Sequence, residues 1–237
     1  TRAPHAMSWF STDHLPRPHD TARRDVAWTR WNELAPPPGD ASAIALLDAL
    51  FGNSPYLTEL VLRNPSFVSD LWRRGPDAVY RGLDAELDNA KTSARNDGTP
   101  PDIATALRRL KSRLALTIAV ADIAGAWPLE RVTGALSAFA SGCLTALVDS
   151  ILLQLARDGQ LAIGGDPDAA ALTVLGMGKL GAGELNYSSD IDLILLYDRD
   201  APALADNDQL SRHFVRAARL LVQLMGETSA DGYIFRT

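Results

Sequence analysis

Residues 171–198 read ALTVLGMGKLGAGELNYSSDIDLILLYD, and the reading of this stretch decides the fold class. Leu172 to Met177 has the character of a β-strand of the buried type. Gly176-Met177-Gly178-Lys179-Leu180-Gly181 follows as a glycine-rich turn. Lys179 to Leu185 leaves room for at most two helical turns before Asn186-Tyr187-Ser188-Ser189 breaks them. Asp190 to Tyr197 then reads as a second strand that opens on aspartates at i and i+2.

Three phosphate-handling patterns compete here. The P-loop, G-x-x-x-x-G-K-[ST], fails twice, because Leu180 follows Gly178-Lys179 and Thr173 stands five residues before Gly178. The dinucleotide fingerprint G-x-G-x-x-G does match residues 176–181, with Asp198 ending the next strand. That fold, however, needs a helix running the length of the sheet, and its sheet is covered on both faces. Asp190 and Asp192 would then be two unpaired buried carboxylates, at a cost of several kcal/mol each. The third pattern uses the acids. Two carboxylates on one side of a strand edge can hold divalent ions about 3.5–4 Å apart and clamp a transferring phosphoryl or nucleotidyl group. A glycine turn beside them lets backbone N–H groups approach phosphate.

Outward from this stretch the chain changes grammar. Residues 1–40, rich in proline and charge and carrying His5, His14 and His19, read as a partly disordered, loosely docked leader with one short helix around Asp25 to Leu34. Residues 41–160 read as an α-helical region. Ile44, Leu47, Leu50 and Phe51 recur at helical spacing, and Ser54-Pro55 and Asn64-Pro65 are start signals for the next two helices. Residues 77–95 form a polar amphipathic helix. Long helices follow at about Asp102 to Ala126 and Leu129 to Arg157, the second with Cys143 on its apolar stripe. The basic group Arg108, Arg109, Lys111 and Arg113 reads as a solvated helix face. Residues 161–237 form the third part, with a helix from Asn207 to Met225 bearing His213 and a last strand over Tyr233 to Thr237. The fold class is therefore α+β: a helical bundle followed by a small sheet core with helices.

A net charge of −6 with 22% charged residues argues against a non-specific nucleic-acid or anionic-membrane surface. No apolar run approaches the roughly 20 residues of a membrane span; Leu114 to Trp127, the longest, is interrupted by Asp122. One cysteine excludes an intramolecular disulfide and fits a reducing cytoplasm. With so few His and Cys, an all-oxygen carboxylate site is the metal chemistry left open.

Gly178-Lys179, ten intervening residues, then Asp190-Ile191-Asp192-Leu193 is similar to the signature of the polymerase β-like nucleotidyltransferase superfamily. The continuous run GMGKLGAGELNYSSDIDLILLYD further resembles the glutamine synthetase adenylyltransferase family, in the first, adenylyl-removing, of its two nucleotidyltransferase domains. Lys179, where many of the superfamily have Ser, fits this narrower resemblance. Asn53-Ser54-Pro55-Tyr56-Leu57 and Asn64-Pro65 resemble the early helical segment of the family.

The resemblance implies a function: phosphorolysis of the AMP on a glutamine synthetase tyrosine, releasing ADP. It implies Asp190 and Asp192 as catalytic Mg²⁺ ligands, and Gly178, Lys179, Ser188 and Ser189 as phosphate contacts. Its implied partners are adenylylated glutamine synthetase, phosphate, ADP or ATP, and the PII signal protein. It also implies a third metal carboxylate just after Thr237, so that the core is incomplete at its C-terminal end. Ser188 and Ser189 serve equally as turn residues, and Glu184 and Asn186 as a helix-surface acid and a C-cap. Asp198 and Asp200 read as ordinary strand-end acids. Two alternatives stand beside this reading: another nucleotidyltransferase of uridylyl or aminoglycoside type, and a Rossmann dinucleotide enzyme.

Overall fold

A computed structural model describes residues 9–201, 204 and 209–237. His5, the loop over 201–208 and the expected helix start at Asn207 fall wholly or partly outside them. The chain divides into two compact units: Thr1–Leu83 with Ser112–Val132, and Asp84–Lys111 with Thr133–Thr237. This division crosses three helices instead of falling near residue 160.

The first unit contains α1 (Thr21–Leu34), α2 (Ala41–Asn53), α3 (Pro55–Arg63) and α4 (Pro65–Arg74). It also holds parts of α5 (Pro76–Asn96), α6 (Pro100–Ile123) and α7 (Leu129–Arg157). The part of the leader from Asp20 to Leu34 is more firmly held than its composition suggests. Asp20 caps α1 by accepting from Arg23 N, and Trp31 is 1% exposed. The Arg23 guanidinium donates to the carbonyls of Phe51 and Gly52 at the end of α2, where a cation meets unpaired carbonyl groups. Ser54 caps α3 through Leu57 N as its spacing predicts. Asn64 does not cap α4; its amide donates back to Leu60 O and so closes the preceding helix.

α7 spans the predicted range. By length and composition it is apolar enough to cross a membrane, contrary to the expectation that no run approaches this. Yet 78% of its most apolar window is buried inside the protein, as in a core helix.

The second unit adds β1 (Leu172–Gly176), α8 (Gly178–Gly181), β2 (Leu193–Tyr197) and α9 (Leu210–Gly226). β1 and β2 pair antiparallel, with Leu172 opposite Tyr197 and Gly176 opposite Leu193. That pairing and the single turn of α8 remove the Rossmann alternative, which needs parallel strands joined by a long helix. Neither strand is buried on both faces. Leu172, Val174, Leu193 and Leu195 are half-buried, while Leu175, Ile194 and Leu196 are exposed. The α+β class holds, as a mostly helical protein with a small two-stranded sheet among the described residues.

The expected third strand does not form. Ile234 N and Phe235 N both donate to Met225 O, turning the segment back onto the end of α9, and a strand needs a partner along its length. One backbone bond, Ile191 N to Arg236 O at 2.9 Å, joins it to the 190–192 segment.

The basic group on α6 is not a solvated face either. Arg108 is buried and donates to Leu224 O and Glu227, Arg109 pairs with Asp231, and Lys111 donates to Tyr233 O. Helical periodicity does not register that Arg108 meets the carbonyl end of α9 and that Arg109 and Lys111 meet the segment after it. On the far side of the unit, Arg95 joins α7 to the turn before β1 through Asp149 at 2.7 Å and Asp168 at 3.1 Å. Burial pushes the Asp149 carboxyl up, against the pull of Arg95.

Candidate active site

The hairpin ladder continues one step past β1 and β2, with Met177 N donating to Asp192 O at 2.8 Å. The chain turns at once into α8. Gly178 has φ +53°, a left-handed conformation that costs residues with a Cβ, and the Cβ of an alanine there would lie 3.9 Å from Asp192 Oδ2. A Cβ at Gly181 would run into the carbonyl oxygen of Gly176. The turn thus places Gly178 near the Asp192 carboxylate, with room between them for a side-chain atom.

Beyond α8 the path is held from inside. Leu180 and Leu185 are buried, and Leu185 N donates to the hydroxyl of Ser137 on α7 at 3.1 Å. Asn186 organises the next turn. Its Oδ1 accepts from Ser188 N at 3.1 Å and from Ser189 Oγ at 2.8 Å, and Ser189 Oγ accepts from Asn186 N. The Ser189 hydroxyl is thereby committed to shaping the loop.

Asp190 and Asp192 lie just before β2, in extended chain, and both are exposed. The burial penalty that a covered sheet would impose on them is absent. Asp190 Oδ1 forms an ion pair with Arg236 Nε at 2.7 Å, and Arg236 Nη2 donates to Ser188 O at 3.1 Å. Between the two acids, Ile191 is buried and fixes the segment. Among the described residues, the Asp192 carboxylate and the exposed Lys179 ammonium have no side-chain hydrogen bond or ion pair. Gly178 and Asp192 are therefore brought together, as are Ser188, Asp190 and Arg236. Lys179 reaches neither group.

Sequence reasoning missed Arg236 and Ser137. Arg236 lies 46 positions after Asp190 in the chain, and no local spacing links them. Among the described residues, no three His, Cys, Asp or Glu side chains gather into a metal cluster. A cleft of about 460 Å³ between α7 and β1, lined by Arg95, Asp149, Asp168, Val174, Gly176 and Gly181, contains neither aspartate. Asp190 and Asp192 thus lie on the exposed turn and not in this cleft.

Residues 44–237 match the family model for glutamate-ammonia ligase adenylyltransferase. The chain belongs to this family. It is 36% identical over 93% of its length to a bifunctional glutamine synthetase adenylyltransferase/adenylyl-removing enzyme of Rhodopseudomonas palustris. A protein of the same description from Bradyrhizobium diazoefficiens is 36% identical over 98% of the chain. A further Rhodopseudomonas palustris relative reaches 40% identity over 77%. The chain spans about a quarter of the length of such relatives, 23% and 24% in the first two cases.

Proposed function

We propose that this chain carries the helical lead-in and the opening part of a polymerase β-like nucleotidyltransferase core, and that this core removes AMP from a tyrosine of adenylylated glutamine synthetase. In this reaction inorganic phosphate attacks the AMP phosphorus, the bond from phosphorus to the tyrosine oxygen breaks, ADP leaves and the tyrosine oxygen takes up a proton. Phosphate is already largely ionised near neutral pH, so positioning and charge stabilisation dominate and no general base is required.

The observation that carries the reading is the turn itself. The continuous GMGKLGAGELNYSSDID run folds so that Asp192 Oδ2 sits beside Gly178, with Lys179 uncommitted on the same turn. In this reading the backbone at Gly178, the Lys179 ammonium and the Ser188 hydroxyl receive phosphate oxygens, while Ser189 shapes the loop. Asp190 and Asp192 are exposed, hard oxygen donors, a set that fits Mg²⁺, and they would hold it. When bound, Mg²⁺ would supply neutralisation of charge on the phosphoryl oxygens. The PII signal protein and a cytoplasmic setting belong to the same reading for the whole enzyme.

The test is Asp190→Asn with Asp192→Asn in the full-length protein, assayed in both directions. Deadenylylation is expected to fall by at least about 10²-fold, the scale of losing one preorganised charge stabiliser, while adenylylation is kept. Retained deadenylylation overturns the assignment.

A further inference from the structure

Arg236 touches the candidate site at three points. Its Nε forms an ion pair with Asp190 Oδ1 at 2.7 Å, its Nη2 donates to Ser188 O at 3.1 Å, and its own carbonyl accepts from Ile191 N at 2.9 Å. One residue thus holds the backbone on both sides of Asp190 as well as the carboxylate.

The mount beneath Arg236 is rigid. Ile234 and Phe235 are buried, and the Phe235 ring packs 6.1 Å from Phe139 of α7. Lys111 of α6 lies 4.2 Å from the Tyr233 ring centroid and 4.8 Å from that of Phe235, and donates to Tyr233 O. Burial pushes the Lys111 ammonium down to about 8, the cost of setting a cation under these rings. An anchored segment therefore presents the guanidinium, in contrast to the long unanchored side chain of a typical surface ion pair.

From this geometry we infer that Arg236 is a positioning residue for Asp190: it fixes the orientation of a carboxylate that, together with Asp192, would hold a divalent cation. The inference rests on the proposed function for the identity of the site. A guanidinium near a dication repels it, but the Arg236 and Asp190 side chains are 57% and 61% exposed, so solvent screens that repulsion. Metal-ligating side chains whose outer partner is removed lose roughly 10–100-fold in metal affinity.

The experiment titrates Mn²⁺ alone into the full-length protein and reads free Mn²⁺ by electron paramagnetic resonance. Asp190→Asn identifies which binding event belongs to this site. Arg236→Ala is expected to weaken that event about tenfold, and Arg236→Lys, which keeps one donor, to recover part of the loss. A merely structural role would not be rescued by lysine. Unchanged or tighter Mn²⁺ binding by Arg236→Ala overturns the inference, as does an Asp190→Asn protein that loses no binding event. Failure of the functional reading shows separately, as deadenylylation that survives Asp190→Asn while Mn²⁺ binding still depends on Arg236.

Discussion

α7 from Thr133 onward and the segment from β1 to β2 lie in the same unit, yet they hold themselves in place by opposite means. In α7, Leu136, Phe139, Cys143, Leu147, Ile151 and Leu155 are buried along one face, and the helix is fixed by its side chains. Between Leu172 and Tyr197 only Leu180, Leu185 and Ile191 are buried. The path between those three anchors is set by backbone bonds and by the close approach of Gly181 to Gly176. Where the backbone carries the structure, the polar side chains are left over. Among the described residues the side chains of Lys179, Ser188 and Asp192 have no hydrogen-bond or ion-pair partner, which leaves them available to a ligand.

If this contrast is right, substitutions along 172–197 should separate sharply by kind. Leu185→Ala empties a fully buried position and should cost about 3 kcal/mol in urea unfolding followed by circular dichroism. A loss below about 1 kcal/mol would mean that the turn is not anchored there. Gly181→Ala forces a Cβ against the Gly176 carbonyl and should cost about 2 kcal/mol in the same measurement. A neutral result would show that β1 and α8 can move apart. Lys179→Gln should leave stability within about 0.5 kcal/mol of the starting protein, and a larger drop would tie its ammonium to the fold.

The same contrast explains what could be read in advance. Helices held by their own apolar stripes were legible to within a few residues: α7 matches its predicted bounds, and the Ser54 cap on α3 is where spacing put it. The short helix between two strands was legible too, since glycines act over short range. What escaped were contacts between distant segments. Arg108 and Lys111 belong to a helix whose periodicity marks them as outward, but outward from α6 is where α9 and residues 233–235 lie. The 233–237 segment has the composition of a strand, but the Met225 carbonyl takes its N–H groups first. Arg236 escaped for the same reason, its partner being fixed only by the folded chain.

The division into two units has a consequence for how unfolding can be watched. Trp9, Trp28, Trp31, Trp72 and Trp127 all fall within Thr1–Leu83 and Ser112–Val132, whereas the one cysteine, Cys143, falls in the other unit. Its thiol is buried and burial pushes its pKa up, so a soluble alkylating reagent reaches it only when that unit opens. Indole emission and thiol labelling therefore report on separate halves of the contact map, and the unmodified sequence already carries one probe for each.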